Sequence, residues 1–539
     1  MPLSEKLFMR ISLRTVALLA SPLLVLGATA YAQWALAGIP ALPPETTYHS
    51  GPIGFPAWLR IGHYINFLFI VLLVRSGLQI LMDHPRLYWN VDCTPDSEWL
   101  RLTPVKVPLD RVWTAKDDAR YLTPWIGLPG GRHTVGMARH WHFASVLFWI
   151  ANGVIFVALL FATNQWQRLA PTSWQIVPDA WSVFVHYATF HMPPEPDGFY
   201  RYNALQQLAY FGVVFGLAPL TILTGLTMSP ALTNRFKWYP RIFGNRQAGR
   251  SLHFLIMCGY VSFIGMHVLM VVITGLARNM NHIVVGTDDG SLRGLAWGLV
   301  GIGMIVLVNV AANWLAWRHP RLIQHAAKRI VTPVMRLMFD HTAPRAEYTV
   351  NDISPYYWAN GLMPTCDAWK TLAAGDFADY RLEVSGLVEE PLLLSLEDLQ
   401  ALGKRSQITL HNCIQGWSGI AEWGGLPVAE LMRRVRPMAE AKAVVFYSYG
   451  DGGEGDEFYD SLSLENARHP QTLLAYEMNY EPLTSLHGAP LRLRVENQLG
   501  FKMVKWIRKI EFVADMATIR EGEGGYNEDR EYYGELAEI

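Results

Sequence analysis

Charge and cysteine are what this 539-residue chain has least of. Only 17% of its residues are charged, low for a chain solvated on every side, while 51% are hydrophobic. The four cysteines, Cys93, Cys258, Cys366 and Cys413, stand far apart with no Cys-x-x-Cys pair, which argues against a zinc clamp or a disulfide framework. Net basicity is missing too: 45 Lys+Arg against 46 Asp+Glu give −1, so no nucleic-acid partner is expected. That sum conceals two unlike halves. Residues 1–341 hold 27 Lys+Arg against 15 Asp+Glu, and residues 342–539 hold 18 against 31; a half of +12 precedes a half of −13.

Long apolar runs are abundant. Six stretches, roughly 15–37, 61–82, 140–163, 205–229, 252–277 and 294–317, are long enough to cross a hydrocarbon core of about 30 Å. The first is too long for a typical signal-peptide core and is read as a helix. The second is interrupted only by Arg75, suited to a haem propionate or to snorkelling. Basic residues concentrate before the first run (Lys6, Arg10, Arg14), between the fourth and fifth (Arg235, Lys237, Arg241, Arg246, Arg250) and after the sixth (Arg318, Arg321, Lys328, Arg329, Arg336). They are scarce in 38–60, 164–204 and 278–293, so both termini are expected on the cytoplasmic side of a bacterial-type inner membrane. Residues 318–340 alternate basic and apolar positions at helical spacing, as an interfacial or linker helix would. From about 345 the composition turns soluble, with β-like runs at 380–388, 443–449, 491–495 and 507–513. Ser395 to Asp398 has the form of a helix cap, and Pro427 opens a helical pattern. The expected architecture is an all-α transmembrane bundle of about six helices followed by a mixed α/β domain.

Histidines in the apolar runs carry the first chemical signal. The fifth run contains His253 and His267 and no Asp, Glu, Lys or Arg. Fourteen residues make about 3.9 turns and about 21 Å of rise, which puts both on nearly one face at opposite depths. Two imidazoles so arranged predict two stacked haems, each in need of a second axial ligand at its own depth. His63 stands at the outer end of the second run, and His140 and His142 at the inner end of the third. Matching depths pairs His63 with His267 and His142 with His253; His140 is read as interfacial.

These residues lie in a wider pattern. Arg60-Ile-Gly-His63-Tyr, Arg75-Ser-Gly-Leu-Gln, His84-Pro-Arg-Leu-Tyr-Trp89, Arg139-His-Trp-His142-Phe, Tyr202 to Tyr210, Leu252-His253 and His267-Val resemble the di-haem cytochrome b subunits of formate dehydrogenase, nickel-iron hydrogenase and thiosulfate reductase over about 55–320. The resemblance implies two b haems on His63, His142, His253 and His267, and exchange of electrons with a quinone. For the quinone site, His186, His191 and 202–206 are candidates, with ordinary loop packing the better expectation.

The acidic half has its own pattern. Tyr380 to Val388, Cys413-Ile-Gln-Gly-Trp-Ser, Leu474-Ala-Tyr-Glu-Met478, His487-Gly-Ala-Pro-Leu-Arg492 and Gly500-Phe-Lys with Lys505-Trp-Ile507 occur in one order. Together they resemble the molybdopterin domain of the sulfite oxidase superfamily, nearest to bacterial methionine sulfoxide reductase catalytic subunits. By that resemblance Cys413 is the molybdenum ligand, a soft thiolate on a redox metal. His487, Arg492 and Lys505 would bind the pterin and its phosphate, Ser448 would add a contact, and Asn351 or Asn360 another. Ile414 to Trp423 contains no Arg or Lys to surround an anionic substrate, so sulfite is disfavoured. Domains are expected at 1–54 (an extra helix and outer loop), 55–320 (di-haem cytochrome b), 321–345 (linker) and 346–539 (molybdopterin domain, cytoplasmic). The expected function is electron transfer between a small substrate at molybdenum, two haems and the quinone pool. A quinol-driven reductase of a sulfoxide or N-oxide, or an electron conduit with a non-catalytic C-terminal module, are the alternatives.

Overall fold

The computed structural model describes residues 13–43, 52–108, 110–131, 135–192, 198–339, 347–452 and 455–531. Lys6 and Arg10 of the orientation argument lie outside the described residues, as does 340–346 at the end of the expected linker. The first apolar run forms α1 (Leu13–Ala37), which carries Pro22 and accepts a hydrogen bond at Gln33 Oε1 from Trp181 Nε1 (2.6 Å). Among the described residues five helices are long and apolar enough to cross a membrane, against the six runs expected, α1 not being one of them: α2 (Ala57–Asp83), α3 (Val135–Ala162), α4 (Ala204–Thr227), α5 (Arg246–Ile273) and α6 (Arg293–Arg318). A π-helical segment, Gly212–Leu217, interrupts α4. The basic amphipathic run forms α7 (Pro320–Phe339).

The sequence put Arg246 and Arg250 in a loop, but the helix begins there. The Asn245 side chain accepts from the backbone N–H of Gln247 (2.9 Å) and Ala248 (3.0 Å), satisfying two of the orphan donors of α5's first turn. This adds nearly two polar turns below the apolar span. A second polar layer lies in the connection after α2. There the buried Arg86 guanidinium donates to Asp118 (2.8 and 2.9 Å), Glu98 (2.7 Å) and the Val105 carbonyl (2.7 Å). A charge so fully paired organises the loop without an uncompensated burial cost.

The C-terminal half contains two five-stranded sheets. β1 (Leu382–Gly386), β2 (Leu392–Leu394), β5 (Ala443–Ser448), β6 (Tyr459–Ser463) and β10 (Ile507–Val513) form one, in the order β2-β1-β10-β5-β6. β3 (Arg405–Asn412), β4 (Ser418–Pro427), β7 (Leu473–Met478) and β8 (Glu481–Pro482) form the other, in the order β8-β7-β4-β3, with β9 (Arg492–Arg494) also on β7. Tyr380, Leu382, Val384, Val444, Phe446, Leu474, Leu493, Ile510 and Phe512 fill the core between them. The Ser395 cap is a full capping box with Asp398, and the proline-led pattern is a helix over Val428–Val435 with Pro427 as its N-cap.

The halves are packed together. Tyr88, Cys93, Val107 and Ala115 of the membrane half share one apolar cluster with Trp358, Cys413, Ile414 and Trp417. Trp358 Nε1 donates to the Cys93 carbonyl (2.7 Å), and Ser354 Oγ to Asp92 (2.7 Å).

Candidate functional site

Two groups of residues carry the chemistry, one within the helix bundle and one where the sheets meet it. In the bundle, the rings of His63 on α2 and His267 on α5 have centroids 6.3 Å apart. Two imidazoles sharing one iron through metal–nitrogen bonds of about 2 Å have centroids roughly 6 Å apart, so this pair fits a haem between them. At the other end, His142 on α3 and His253 on α5 lie close enough for a charge on one to act on the other. Their Nδ1 atoms are held by hydroxyls: Ser76 Oγ on α2 meets His142 Nδ1 at 3.1 Å, and Thr224 Oγ1 on α4 meets His253 Nδ1 at 3.0 Å. In both rings Nε2 is then left for a ligand. The structure thus brings the four histidines into the two pairs expected from depth. His140 points elsewhere, its Nδ1 on the Gly136 carbonyl (2.7 Å). Arg75 donates to Asn309 Oδ1 (2.7 Å) and to the carbonyls of Pro124 and Gly127, while its Nε is buried with no partner among the described residues. His186 packs on the carbonyls of Pro40 and His191, and Asn203 with Gln206 forms a helix cap, which is loop packing.

Cys413 sits at the tip of the β3–β4 hairpin, whose last pair is Asn412 with Ser418. The tip closes on itself: Gly416 N donates to the Cys413 carbonyl (3.0 Å), and Cys413 N to the Trp417 carbonyl (3.1 Å). Gly416 has a φ of 110°, a backbone angle that favours glycine, and a Cβ there would press on Arg250 Nε at 3.3 Å. Burial pushes the Cys413 thiol up to about 12, and the nearby Asp83 carboxylate adds to the shift. A thiol so placed loses its proton only to a cation. No cluster of three or more His, Cys, Asp or Glu among the described residues would chelate a bare ion, so Cys413 suits one ligand position on a metal that arrives in its own cofactor.

A cavity opens beside this thiol, lined by Cys413, Gln415, Tyr357, Asn360, His411, Ser448, His487, Arg492 and Lys505. Basic side chains crowd it. Burial lowers His487 to about 4 and Arg492 to about 10, and drives Lys505 well below its ordinary value; the neighbouring Arg492 adds to the shifts of His487 and Lys505. Arg492 Nε and the Tyr357 hydroxyl are buried with no partner among the described residues. Lys505 Nζ gives two of its three protons to the carbonyls of Asn360 (2.6 Å) and Leu486 (3.1 Å). The unpartnered Arg492 Nε and the remaining donor of Lys505 fit an anion such as the phosphate of a pterin cofactor.

The expected contacts are not equally free. His487 already uses both nitrogens, on Thr484 Oγ1 (2.8 Å) and the Tyr357 carbonyl (3.2 Å). Ser448 Oγ donates to the Lys505 carbonyl and accepts from Gly450 N. Both residues therefore shape the wall more than they offer donors. Asn360 lines the cavity, whereas Asn351 lies in an exposed turn. Sequence reasoning missed His411, Tyr357 and Asp83. The last closes α2, lines the cavity from the membrane half with Lys116 and Tyr121, and receives a hydrogen bond from Gln415. A lone carboxylate ending an apolar run was the available signal.

The hairpin tip also rests on the helices that bear the second histidine pair. Gln247 Nε2 donates to the Gly416 carbonyl (3.0 Å) and to Ser418 Oγ (2.9 Å), and Arg246 to the same carbonyl (3.3 Å). Arg139 Nη1, three residues before His142, donates to the Ile414 carbonyl (3.1 Å).

Comparison with known proteins follows the same division. Residues 54–284 match the family model of prokaryotic cytochrome b561, and residues 370–519 that of the oxidoreductase molybdopterin binding domain. A putative protein-methionine-sulfoxide reductase subunit of Azospira oryzae is 37% identical over 157 residues, 29% of this chain and 55% of that protein. The protein-methionine-sulfoxide reductase catalytic subunit of Xanthomonas campestris pv. campestris is 31% identical over 201 residues, 35% of this chain and 62% of that protein. The chain thus spans less than two thirds of each of these relatives. The sulfane dehydrogenase SoxCD of Paracoccus pantotrophus aligns at 25% identity over 26% of this chain and 39% of its own, with a TM-score of 0.23.

Proposed function

We propose that this chain, a membrane cytochrome b segment joined to a molybdopterin-binding oxidoreductase domain, moves electrons between a small substrate at Cys413 and a quinone in the membrane. The observation that carries the reading is the seat of the cysteine hairpin: its carbonyls are hydrogen-bonded to Arg139, Arg246 and Gln247, within two turns of His142 and His253. Cys413 would hold the molybdenum, with Arg492, Lys505, Tyr357 and Asn360 around the pterin and its phosphate and His487 and Ser448 as wall. His142 with His253, and His63 with His267, would hold one b haem each. Bound molybdenum supplies two-electron oxygen-atom transfer, and the haems divide each pair of electrons into single steps. The pair beside the hairpin and the pair at the far end would hold the two groups between which electrons travel along α5. The distribution of Lys and Arg among the loops supports a cytoplasmic location for the hairpin end, and hence for the substrate.

The chain's own residues shape the substrate. Asp83 and Lys116 face the cavity from the membrane half, and no Arg or Lys follows Cys413 before Arg433. With no Arg or Lys on the hairpin tip itself to surround an anion, a neutral or dipolar oxide suits the position beside the thiol better than sulfite. The names of the relatives favour a second reading in which a quinol drives reduction of a sulfoxide or N-oxide. One experiment tests both. Purified full-length protein is assayed for haem and molybdenum, then mixed anaerobically with menaquinol while the haem absorbance is followed. Haem reduction by the quinol and reoxidation by a sulfoxide or N-oxide establish the reductase direction. Haem reduction by a substrate, with reoxidation by ubiquinone, establishes the dehydrogenase direction. A molybdenum-free protein from molybdate-replete cells refutes both.

A further inference from the structure

The two histidine pairs are not held alike. At the hairpin end, each imidazole has the same clamp, built on a different helix. Ser76 Oγ donates its proton to the Leu72 carbonyl (2.7 Å), and Thr224 Oγ1 donates its own to the Leu220 carbonyl (2.7 Å). A hydroxyl has one proton, so toward His142 and His253 each of these oxygens acts as an acceptor. A backbone carbonyl stands beside each clamp as well, Leu73 for His142 and Thr221 for His253, and a carbonyl only accepts. Nδ1 therefore carries the proton in both rings, and Nε2 carries the lone pair.

The likeness extends to the next residue. Glycine follows each hydroxyl, and a Cβ built on Gly77 or Gly225 would lie 3.5 Å from Cε1 and 3.8 Å from Nδ1 of its histidine. Ser76-Gly77 on α2 and Thr224-Gly225 on α4 are thus the same device used twice, once on each side of the pair. At the far end the arrangement is looser. His267 Nδ1 meets the Tyr210 hydroxyl at 3.5 Å, the limit of a hydrogen bond, and His63 has no such clamp among the described residues.

We infer that Ser76 and Thr224 are paired positioning residues: they hold His142 and His253 by Nδ1–H, turn Nε2 toward the iron, and make the haem at the hairpin end the lower-potential haem of the two. The inference rests on the ligand reading above. An acceptor on Nδ1–H moves electron density toward Nε2, strengthens donation to iron and favours the ferric state. A hydroxyl already donating to a carbonyl is polarised into a better acceptor, and the effect is doubled because both axial ligands receive it. The haem at the far end, with one long contact, lacks this bias.

The test is an optical redox titration of the purified full-length protein, with haem counted as the pyridine haemochrome. In the Ser76→Ala/Thr224→Val double variant both haems are expected to remain, because the Leu73 and Thr221 carbonyls still orient the rings. One midpoint rises, with the ferric-to-ferrous ratio of that haem at fixed potential falling about tenfold, and the other stays. The haem that moves is the one lost in His142→Ala. Thr224→Ser, which keeps the hydroxyl, retains the wild-type midpoints. Unmoved midpoints in the double variant, equal movement of both, or a shift in Thr224→Ser as large as in Thr224→Val overturns the inference. Loss of a haem in the double variant that Thr224→Ser shares does so too. The ligand reading fails separately, if His142→Ala and His253→Ala each keep two haems.

Discussion

In the membrane half, four histidines come together in two pairs by position along three helices, and fourteen residues of α5 set the spacing between the pairs. In the soluble half, one cysteine reaches its site through a five-residue hairpin tip, and its neighbours come from β9, the turn before Lys505 and the segment around Asn360. The first arrangement depends on a repeating rise and survives changes in the connections. The second depends on several loops closing together, so its donors are partly consumed in holding one another: Lys505 on Asn360 and Leu486, Arg492 on His487. A site made from helices keeps its ligand atoms free. A site made from loops must divide its polar atoms between structure and cofactor.

Substitutions sharpen that contrast. The largest effect is expected from Cys413→Ser: molybdenum per chain and substrate-linked haem turnover fall to background, while the haem spectrum is unchanged. A lost haem signal would mean that the two halves cannot be separated. Next, His253→Ala and His267→Ala should each remove one of two haems by pyridine haemochrome and leave molybdenum in place. Lys502→Met probes the soluble half's interior. Lys502 bridges Asp460 (2.6 Å) and Glu528 (2.8 Å), all three buried. Removing the cation strands two carboxylates at a cost of about 3–5 kcal/mol, read as an earlier thermal transition of the soluble half with unchanged haem absorbance. The smallest effect belongs to Gln247→Ala at the junction. It removes the bonds to Gly416 and Ser418, worth about 1 kcal/mol each. Electron exchange between substrate and haem should slow, while chemical reduction of the haems by dithionite proceeds at the wild-type rate.

Much of this was legible in the chain. The strand over 507–513, the Ser395 cap and the pairing of His63 with His267 follow from alternation, capping chemistry and helical rise. Those signals are local or strictly periodic. Arg246 was misread as a loop residue because a basic stretch below an apolar run looks the same whether or not Asn245 caps it. Arg75 was assigned a choice between propionate and snorkelling because its partners, Asn309, Pro124 and Gly127, lie far away in sequence. The free or engaged state of His487 could not be read at all, since it depends on Thr484 and on Tyr357, 130 residues earlier.

By itself, then, the sequence determined an apolar helical bundle with imidazoles at two levels and a mixed α/β cysteine domain after it. Periodicity and composition suffice for these, because they act residue by residue. Only the tertiary structure decided that the cysteine hairpin rests on Arg139, Arg246 and Gln247, that Asp83 enters its cavity from the membrane half, and that Ser76 and Thr224 grip the nearer histidine pair. These are contacts between segments tens to hundreds of residues apart. They exist because two surfaces fit, and no local pattern carries that information.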